Sequence, residues 1–249
     1  MMDVLAHWQK QEYTGIKPGL SRIRHFLEKT GNPHKRFRSI QVAGTNGKGS
    51  TAACTARMLA VSGYRTGFYI SPHLVDITER IQINGVQIPR KRMDDLTRKY
   101  LKLAQQCSLT FFEFITALAF IYFAEENIEV AVLETGLGGR YDATNIVEQP
   151  LACIITDIDF DHEKILGNKL SSIAWEKAGI IKSGCPLISG VERPAARRVI
   201  LKEAKSKNCR VYELNKDFRY RKPAIRWQQQ LQEFFYESNS RNFRVRLSL

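Results

Sequence analysis

The residues best suited to chemistry stand in one short run, Gly44-Thr45-Asn46-Gly47-Lys48-Gly49-Ser50-Thr51. Glycines let a backbone curl until successive N–H groups point at one anion. A helix that starts there adds partial positive charge, and Lys48 adds a full one. Ser50 or Thr51 offers a hydroxyl to a magnesium ion carried on phosphates. The spacing is G-x-x-G-K-x-S rather than the commoner G-x-x-x-x-G-K-[ST], so the reading leans on a strand before the loop and a helix after it.

Four further turns carry reactive side chains. Ile70-Ser71-Pro72-His73-Leu74 places Ser71 within reach of phosphate or metal, or simply as a helix cap. Glu134-Thr135-Gly136-Leu137-Gly138-Gly139-Arg140-Tyr141-Asp142 sets a carboxylate at a strand end ahead of a glycine-rich turn, an arrangement suited to holding Mg²⁺. Read alone, Arg140 and Asp142 are better taken as a salt-bridged loop pair. In Thr156-Asp157-Ile158-Asp159-Phe160-Asp161-His162, the histidine is either a metal ligand or a hydrogen-bonded structural residue. Trp175-Glu176-Lys177-Ala178-Gly179 closes a helix with a glycine just past its end. Read alone, Lys177 is an exposed or salt-bridged lysine.

The elements that must position these turns alternate. Val/Ile/Leu-rich runs without period-2 alternation predict strands at Ser39–Val42, Thr66–Ile70, Val130–Glu134, Ala152–Thr156, Pro186–Ser189 and Arg210–Glu213. Helical patterns fall at Lys48–Ser62, Met93–Ala104, Phe111–Glu126, Ser171–Ala178 and Ala195–Ser206. This rhythm predicts an α/β fold, a doubly wound and mainly parallel sheet flanked by helices around the phosphate loop. Ligands of such sheets bind beyond the carboxyl ends of the strands, where the turns after Val42, Ile70, Glu134 and Thr156 fall. From Arg219 the rhythm stops. Residues 219–249 are rich in Arg, Gln and aromatics, and they read as a frayed helix and tail or as sequence outside the fold.

Length and composition bound the rest. With 249 residues and 43% hydrophobic content, the chain can bury one large domain, or one domain with an appendage. No apolar run reaches the roughly 18 residues of a membrane span, and Phe111 to Ala124, which contains Glu113, reads as a buried helix. The first residues lack the apolar core of a signal peptide. Five cysteines, odd in number and scattered, argue against a disulfide framework or zinc site and for a reducing cytoplasm. A formal net charge of +13 suits acidic partners such as nucleotides. No aromatic-interleaved basic motif points to nucleic acid.

In this order and spacing the motifs resemble the folylpolyglutamate synthase/dihydrofolate synthase family, a branch of the Mur-type ligases. The resemblance begins at Gly19-Leu20-Ser21-Arg22-Ile23 and Gly31-Asn32-Pro33. It runs through Ser71-Pro72-His73-Leu74, Thr78-Glu79-Arg80-Ile81, Asn84-Gly85, Glu134 to Asn145 and Asp161-His162 to Leu166-Gly167, and closes at Glu176 to Lys182. About residues 13 to 215 are covered, and the combination is very specific. It implies a fold like the central domain of Mur ligases. It also implies an ATP-dependent ligase that adds L-glutamate to dihydropteroate, to tetrahydrofolate or to both. The γ-phosphate of ATP passes to a substrate carboxylate, and the glutamate amine then attacks the acyl phosphate.

Carried over by motif, Gly44, Thr45, Asn46, Gly47, Lys48, Gly49 and Ser50 bind ATP. Ser71 and Glu134 resemble ligands of one Mg²⁺, and His162 resembles the ligand of a second. Lys177 matches a lysine that the family carboxylates, so the resemblance reverses the plain reading of that residue. Lys48, Glu134, His162 and Lys177 are the implied catalytic set. Thr110, Phe111, Phe112, Glu113 and Tyr141 are similar to pterin-pocket positions, and Ile16, Lys17 and Pro18 to a substrate loop. A monomeric cytoplasmic enzyme that binds neither nucleic acid nor membrane is implied.

Two departures stand out. The family's usual Thr-Ser-Ile is Thr156-Asp157-Ile158 here, and the family's C-terminal domain is missing from the sequence. The expected organisation is therefore an incomplete ATP-binding domain over residues 1–218 with an atypical tail over 219–249. The alternative to an active ligase is a truncated remnant that at most binds Mg-ATP. A phosphate-loop kinase or GTPase ranks below both, because it does not explain the Glu134 and Lys177 blocks.

Overall fold

The structure, a computed structural model, describes residues 19–248. Ile16, Lys17 and Pro18, expected in a substrate loop, lie outside the described residues. Strands β1 (Arg38–Ala43), β2 (Thr66–Tyr69), β5 (Val130–Glu134), β6 (Ala152–Ile155), β7 (Leu187–Ser189) and β8 (Val211–Glu213) are parallel, as their unbroken apolar runs predict. A short hairpin, β3 (Ile81–Ile83) and β4 (Val86–Gln87), adds an antiparallel edge that the sequence reading missed. The strand order is β4-β3-β2-β5-β1-β6-β7-β8. The four turns singled out above therefore leave four adjacent central strands, β2, β5, β1 and β6.

The pleat sorts the core. Val42 and Val132 face one side of the sheet, where Ala52 and Ala56 of helix α2 (Lys48–Val61) meet them together with Phe68. Gln41, Ala43, Ala131 and Leu133 alternate with them onto the opposite side. There Ala131 and Leu133 join the cluster made by α1 (Ser21–Lys29), α3 (Arg90–Gln106) and α4 (Phe111–Glu125). Ala43 and Ile155 join Ile173, Ala174, Ala196 and Ile200 of α6 (Leu170–Ala178) and α7 (Pro194–Ser206). Between β6 and α6 lies the single turn α5 (Glu163–Leu166). Helix α4 is apolar nearly all round and buried along its length, as a helix inside the core must be. Its start is fixed by a reciprocal cap. The Glu113 amide donates to Thr110 Oγ1 (3.2 Å), and the Thr110 amide donates to Glu113 Oε2 (2.8 Å).

Residues 218–248 correct the expectation of a frayed helix or tail. They form a three-stranded antiparallel sheet of β9 (Phe218–Arg226), β10 (Leu231–Ser238) and β11 (Asn242–Ser248). One face is charged, with the buried Glu233 carboxylate gripped by Arg226, Arg244 and Arg246. The other carries Tyr220, Phe234, Tyr236 and Phe243, with Tyr236 and Phe243 at 4.9 Å between ring centroids. Arginines replace the usual apolar strand residues, and a Gln-rich turn replaces Asn-Gly. Neither looks like a strand signal.

Candidate active site

β1 delivers the loop. Its last residue, Ala43, runs into Gly44, and Gly47 caps α2 at φ 76°, a left-handed position that glycine takes without strain. Gly44 is required for a different reason, because a Cβ there would strike Thr156 Oγ1. The segment after β6 clasps the loop from that side. The Thr45 amide donates to the Asp157 carbonyl (2.7 Å), and Thr156 Oγ1 donates to the Asn46 carbonyl (2.6 Å). Thr45 Oγ1 both accepts from the Asp159 amide (3.0 Å) and donates to the Asp159 carbonyl (3.1 Å). Asp157 accepts from Asn46 Nδ2 at 3.3 Å. Asp159 is held in turn by Arg193 at 2.7 Å.

Two amines meet at one carbonyl. Lys48 Nζ donates to the Gly44 carbonyl (2.9 Å) and the Thr45 carbonyl (3.0 Å), and Lys177 Nζ donates to Gly44 from the other side at 2.6 Å. The plain reading of Lys177 as an exposed or salt-bridged lysine does not hold, since it is 2% exposed. Burial, and then the charge of Lys48, bring its pKa from 10.5 down to about 8. A useful fraction of the amine is neutral near neutral pH, the form that is nucleophilic towards CO₂.

Glu134 ends β5 in register with Val42, two residues before the loop. It is buried, and its oxygen lies 3.4 Å from where a Cβ of Gly49 would sit, which puts the carboxylate against the start of α2. Its hydrogen-bond partner among the described residues is the Ser71 amide (3.1 Å), two residues past the end of β2 and just before the cis Ser71-Pro72 peptide bond. Burial raises the Glu134 pKa, and the Ser71 amide and Lys48 only partly offset it. The Ser71 backbone and the Glu134 carboxylate thus lie together.

Asp142 is not paired with Arg140. It is buried and accepts from the amides of Gly136 (3.0 Å), Leu137 (2.9 Å) and Thr144 (2.9 Å) and from Thr144 Oγ1 (2.5 Å), so it shapes the glycine-rich turn. Arg140 stacks on Trp175 at 3.8 Å and reaches Glu203. The turn nests against the end of α6. A Cβ on Gly139 would lie 2.8 Å from the Glu176 carbonyl oxygen and 3.0 Å from that of Lys177, and a Cβ on Gly179 would run into the Arg140 backbone. Gly179 sits at φ −58°, so it is there for this approach and not as a left-handed cap.

His162 takes the left-handed conformation at φ 47° and is exposed, with Asp161 Oδ1 at 3.4 Å. Phe112 packs where a side chain on Gly136 would collide with its ring, and it lies 6.2 Å from Tyr69. Tyr141 is half exposed, and Phe111 is buried under the Arg80 guanidinium. Glu113, expected in a substrate pocket, is buried as a cap and paired with Arg22 at 3.0 Å. Sequence reasoning missed that pairing, the Asp159–Arg193 contact and the clasp on Thr45, since nothing local signals contacts across more than 30 residues.

Among the described residues no three His, Cys, Asp or Glu side chains gather closely enough to hold a metal ion by themselves. A lone buried carboxylate beside a phosphate cradle nevertheless fits Mg²⁺, which keeps waters and phosphate oxygens and takes one or two carboxylates.

Comparison with known proteins agrees with this geometry. The family model of the Mur ligase middle domain matches residues 42–249, a range that includes the three-stranded sheet. A dihydrofolate synthase/folylpolyglutamate synthase of Bacillus subtilis is 45% identical over 197 residues, 76% of this chain and 46% of that protein. The protein of the same name from Haemophilus influenzae is 38% identical over 226 residues, 91% of this chain and 51% of its own length. The chain thus spans about half the length of the curated relatives it matches. The crystal structure of folylpolyglutamate synthase from Thermotoga maritima superposes with a TM-score of 0.86 at 37% identity, covering 96% of this chain and 56% of that one. An FPGS–AMPPCP–folate complex superposes with a TM-score of 0.88 at 33% identity, covering 98% and 62%. Match and architecture agree that the chain belongs to the Mur ligase family, through its middle domain.

Proposed function

We propose that this chain is the ATP-handling part of a ligase that joins L-glutamate to dihydropteroate, tetrahydrofolate or both. The observation that carries the reading is the meeting of Lys48, Lys177 and Glu134 around a glycine loop whose amides open beyond β1. The named relatives supply the substrate class. Phosphoryl transfer needs positioning and charge neutralisation more than covalent help. Gly44 to Ser50 bind the phosphates, with Lys48 leaving the Gly44 carbonyl to meet them. The substrate carboxylate attacks the γ-phosphorus and ADP leaves. The glutamate amine then attacks the acyl carbon, phosphate departs, and the amine gives up a proton.

Ser71 and Glu134 would hold one Mg²⁺ and His162 a second, supplying charge neutralisation on the phosphates. Lys177, with its lowered pKa, is poised to react as the neutral amine with CO₂, forming a carbamate and releasing a proton. That exchange would set an anion beside the loop. Phe112 and Tyr141 would line the approach for a flat heterocycle, with aromatic faces available for stacking, while Phe111 packs in the core under Arg80 and Thr110 caps α4. Glu113 contributes by fixing the start of α4, and Ile16, Lys17 and Pro18, outside the described residues, would contribute to substrate binding. The division at residue 218, a monomeric state and a cytoplasmic setting belong to the same proposal. Among the described residues, no helix is long and apolar enough to cross a membrane.

The reading is tested by titrating the purified chain with Mg-ATP in a calorimeter, beside Lys48→Ala. Loss of the charge-assisted phosphate contact removes about 1.5–3 kcal/mol, so affinity should fall at least about tenfold. Equal affinity in the two proteins would show that the loop is not the phosphate cradle. Addition of labelled glutamate with dihydropteroate or tetrahydrofolate then reads the ligation itself.

A further inference from the structure

The five cysteines are scattered in sequence, yet three of them converge at the amino-terminal edge of β6, β7 and β8, the edge opposite the phosphate loop. Cys153 lies in β6 in register with Leu187, and Leu187 pairs with Val211. Cys185 and Cys209 each stand two residues before those partners, at equivalent places on neighbouring strands. The Cys153 and Cys185 sulfurs are 3.6 Å apart. Cys185 Sγ also reaches the Pro150 carbonyl (3.2 Å), and Cys153 Sγ the Ile180 carbonyl (3.1 Å). The Cys185 amide and Cys209 Sγ share the Lys182 carbonyl oxygen, at 3.1 and 3.0 Å. Cys209 is half-buried, Cys185 is 6% exposed and Cys153 is fully buried, so the thiols run inward from the surface. No role in nucleotide or substrate handling uses them.

We propose that Cys153 and Cys185 form an oxidisable dithiol, which peroxide converts to a disulfide joining β6 to the entry of β7. Cys185 is the attacking thiol. The Cys153 S–H beside it holds the Cys185 thiol below its usual range, while Cys153 itself, fully buried and donating, stays protonated. The Cys185 thiolate takes one peroxide oxygen and becomes a sulfenic acid, and hydroxide leaves to pick up the thiol's proton as water. The Cys153 sulfur then attacks the sulfenic sulfur, an S–S bond forms, and the Cys153 proton leaves with the hydroxyl as a second water. Two electrons pass from the sulfur pair to the peroxide. Closure draws the sulfurs from 3.6 Å to about 2.05 Å.

The test treats the full chain, reduced and then freed of reductant, with hydrogen peroxide. Remaining thiols are alkylated and the protein is digested with trypsin, which leaves Cys153, Cys185 and Cys209 on three separate peptides. The expected result is the Cys153 and Cys185 peptides joined, two hydrogens lighter than the pair, and separated again by dithiothreitol. Recovery of both as alkylated free thiols, or of Cys185 joined to Cys209 instead, overturns the proposal. In Cys153→Ser the hydroxyl still donates to Cys185 but cannot close the S–S bond, so dimedone should label the Cys185 sulfenic acid. Absence of that label from a folded variant overturns the assignment of Cys185 as the attacking thiol.

Discussion

Replacing Lys177 with methionine should make the protein more stable as pH is lowered and less able to do chemistry at every pH. The side chain is 2% exposed, and its pKa falls from 10.5 to about 8. At about 1.36 kcal/mol per unit, keeping the ammonium in that place costs about 3 kcal/mol wherever it is charged in both states. The sign follows from proton counting. Between pH 8 and 10.5 the unfolded chain holds a proton on this lysine that the folded chain has released, so stability rises with pH across that window. Below pH 8 the full cost is present, and above 10.5 it is gone. Lys177→Met has no such proton. Its lost hydrogen bond to Gly44 takes back about 1–2 kcal/mol, so the net gain at pH 7 is about 1–2 kcal/mol. The slope is the cleaner signature. Urea unfolding of both proteins in CO₂-depleted buffer at pH 7.5, 8.5, 9.5 and 10.5 should show the difference between them move by about 3 kcal/mol, from the methionine variant being the more stable by about 1–2 kcal/mol to its being the less stable by about the same amount. A difference that stays constant over that range would refute the account of Lys177 as a buried, proton-shedding amine.

Glu134→Gln should weaken Mg-ATP binding by about tenfold to a hundredfold while leaving metal-free ATP binding little changed, which calorimetry with and without magnesium will distinguish. Gly139→Ala should lower stability by about 1–3 kcal/mol, because the new methyl meets the rigid carbonyls of Glu176 and Lys177, and thermal unfolding reports it. Asp142→Ala strands the amides of Gly136, Leu137 and Thr144 and should cost about 3 kcal/mol or more, read as a lowered urea midpoint with an unchanged slope.

The parallel half of the fold was legible because strands buried on both faces have to be unbroken Val, Ile and Leu runs. Val130–Glu134 matches its predicted bounds, and Ala152–Thr156 differs by one residue. The order of those strands was not legible, since register depends on partners far along the chain. It is the order that brings Ser71, Glu134, Gly44 and Asp157 to one edge. The hairpin β3–β4 escaped notice because it is too short to show a pattern. The last three strands escaped because arginines gripping Glu233 replace the apolar alternation that announces a sheet. Among candidate site residues, the place of Lys48 at the turn from loop to helix was legible from the loop alone. Lys177 was not, because a lysine near the end of a helix looks exposed until Gly44 is known to lie above it. Asp142 shows the same limit, since its partners are backbone amides that leave no trace in residue types.

The nesting of Gly139 against the end of α6 and of Gly179 against Arg140 has a bearing on how this protein can change over generations. Each glycine is the socket for the other segment's backbone, so neither can acquire a side chain while its counterpart stays fixed. A substitution at one site is rescued only by displacement of a whole segment, and that displacement would carry Glu134's turn or Lys177 with it. Drift at these two positions is therefore blocked by geometry, whatever selection acts on the reaction. Libraries built on this fold should leave both glycines untouched and draw their diversity from exposed positions such as Tyr141 and Phe160.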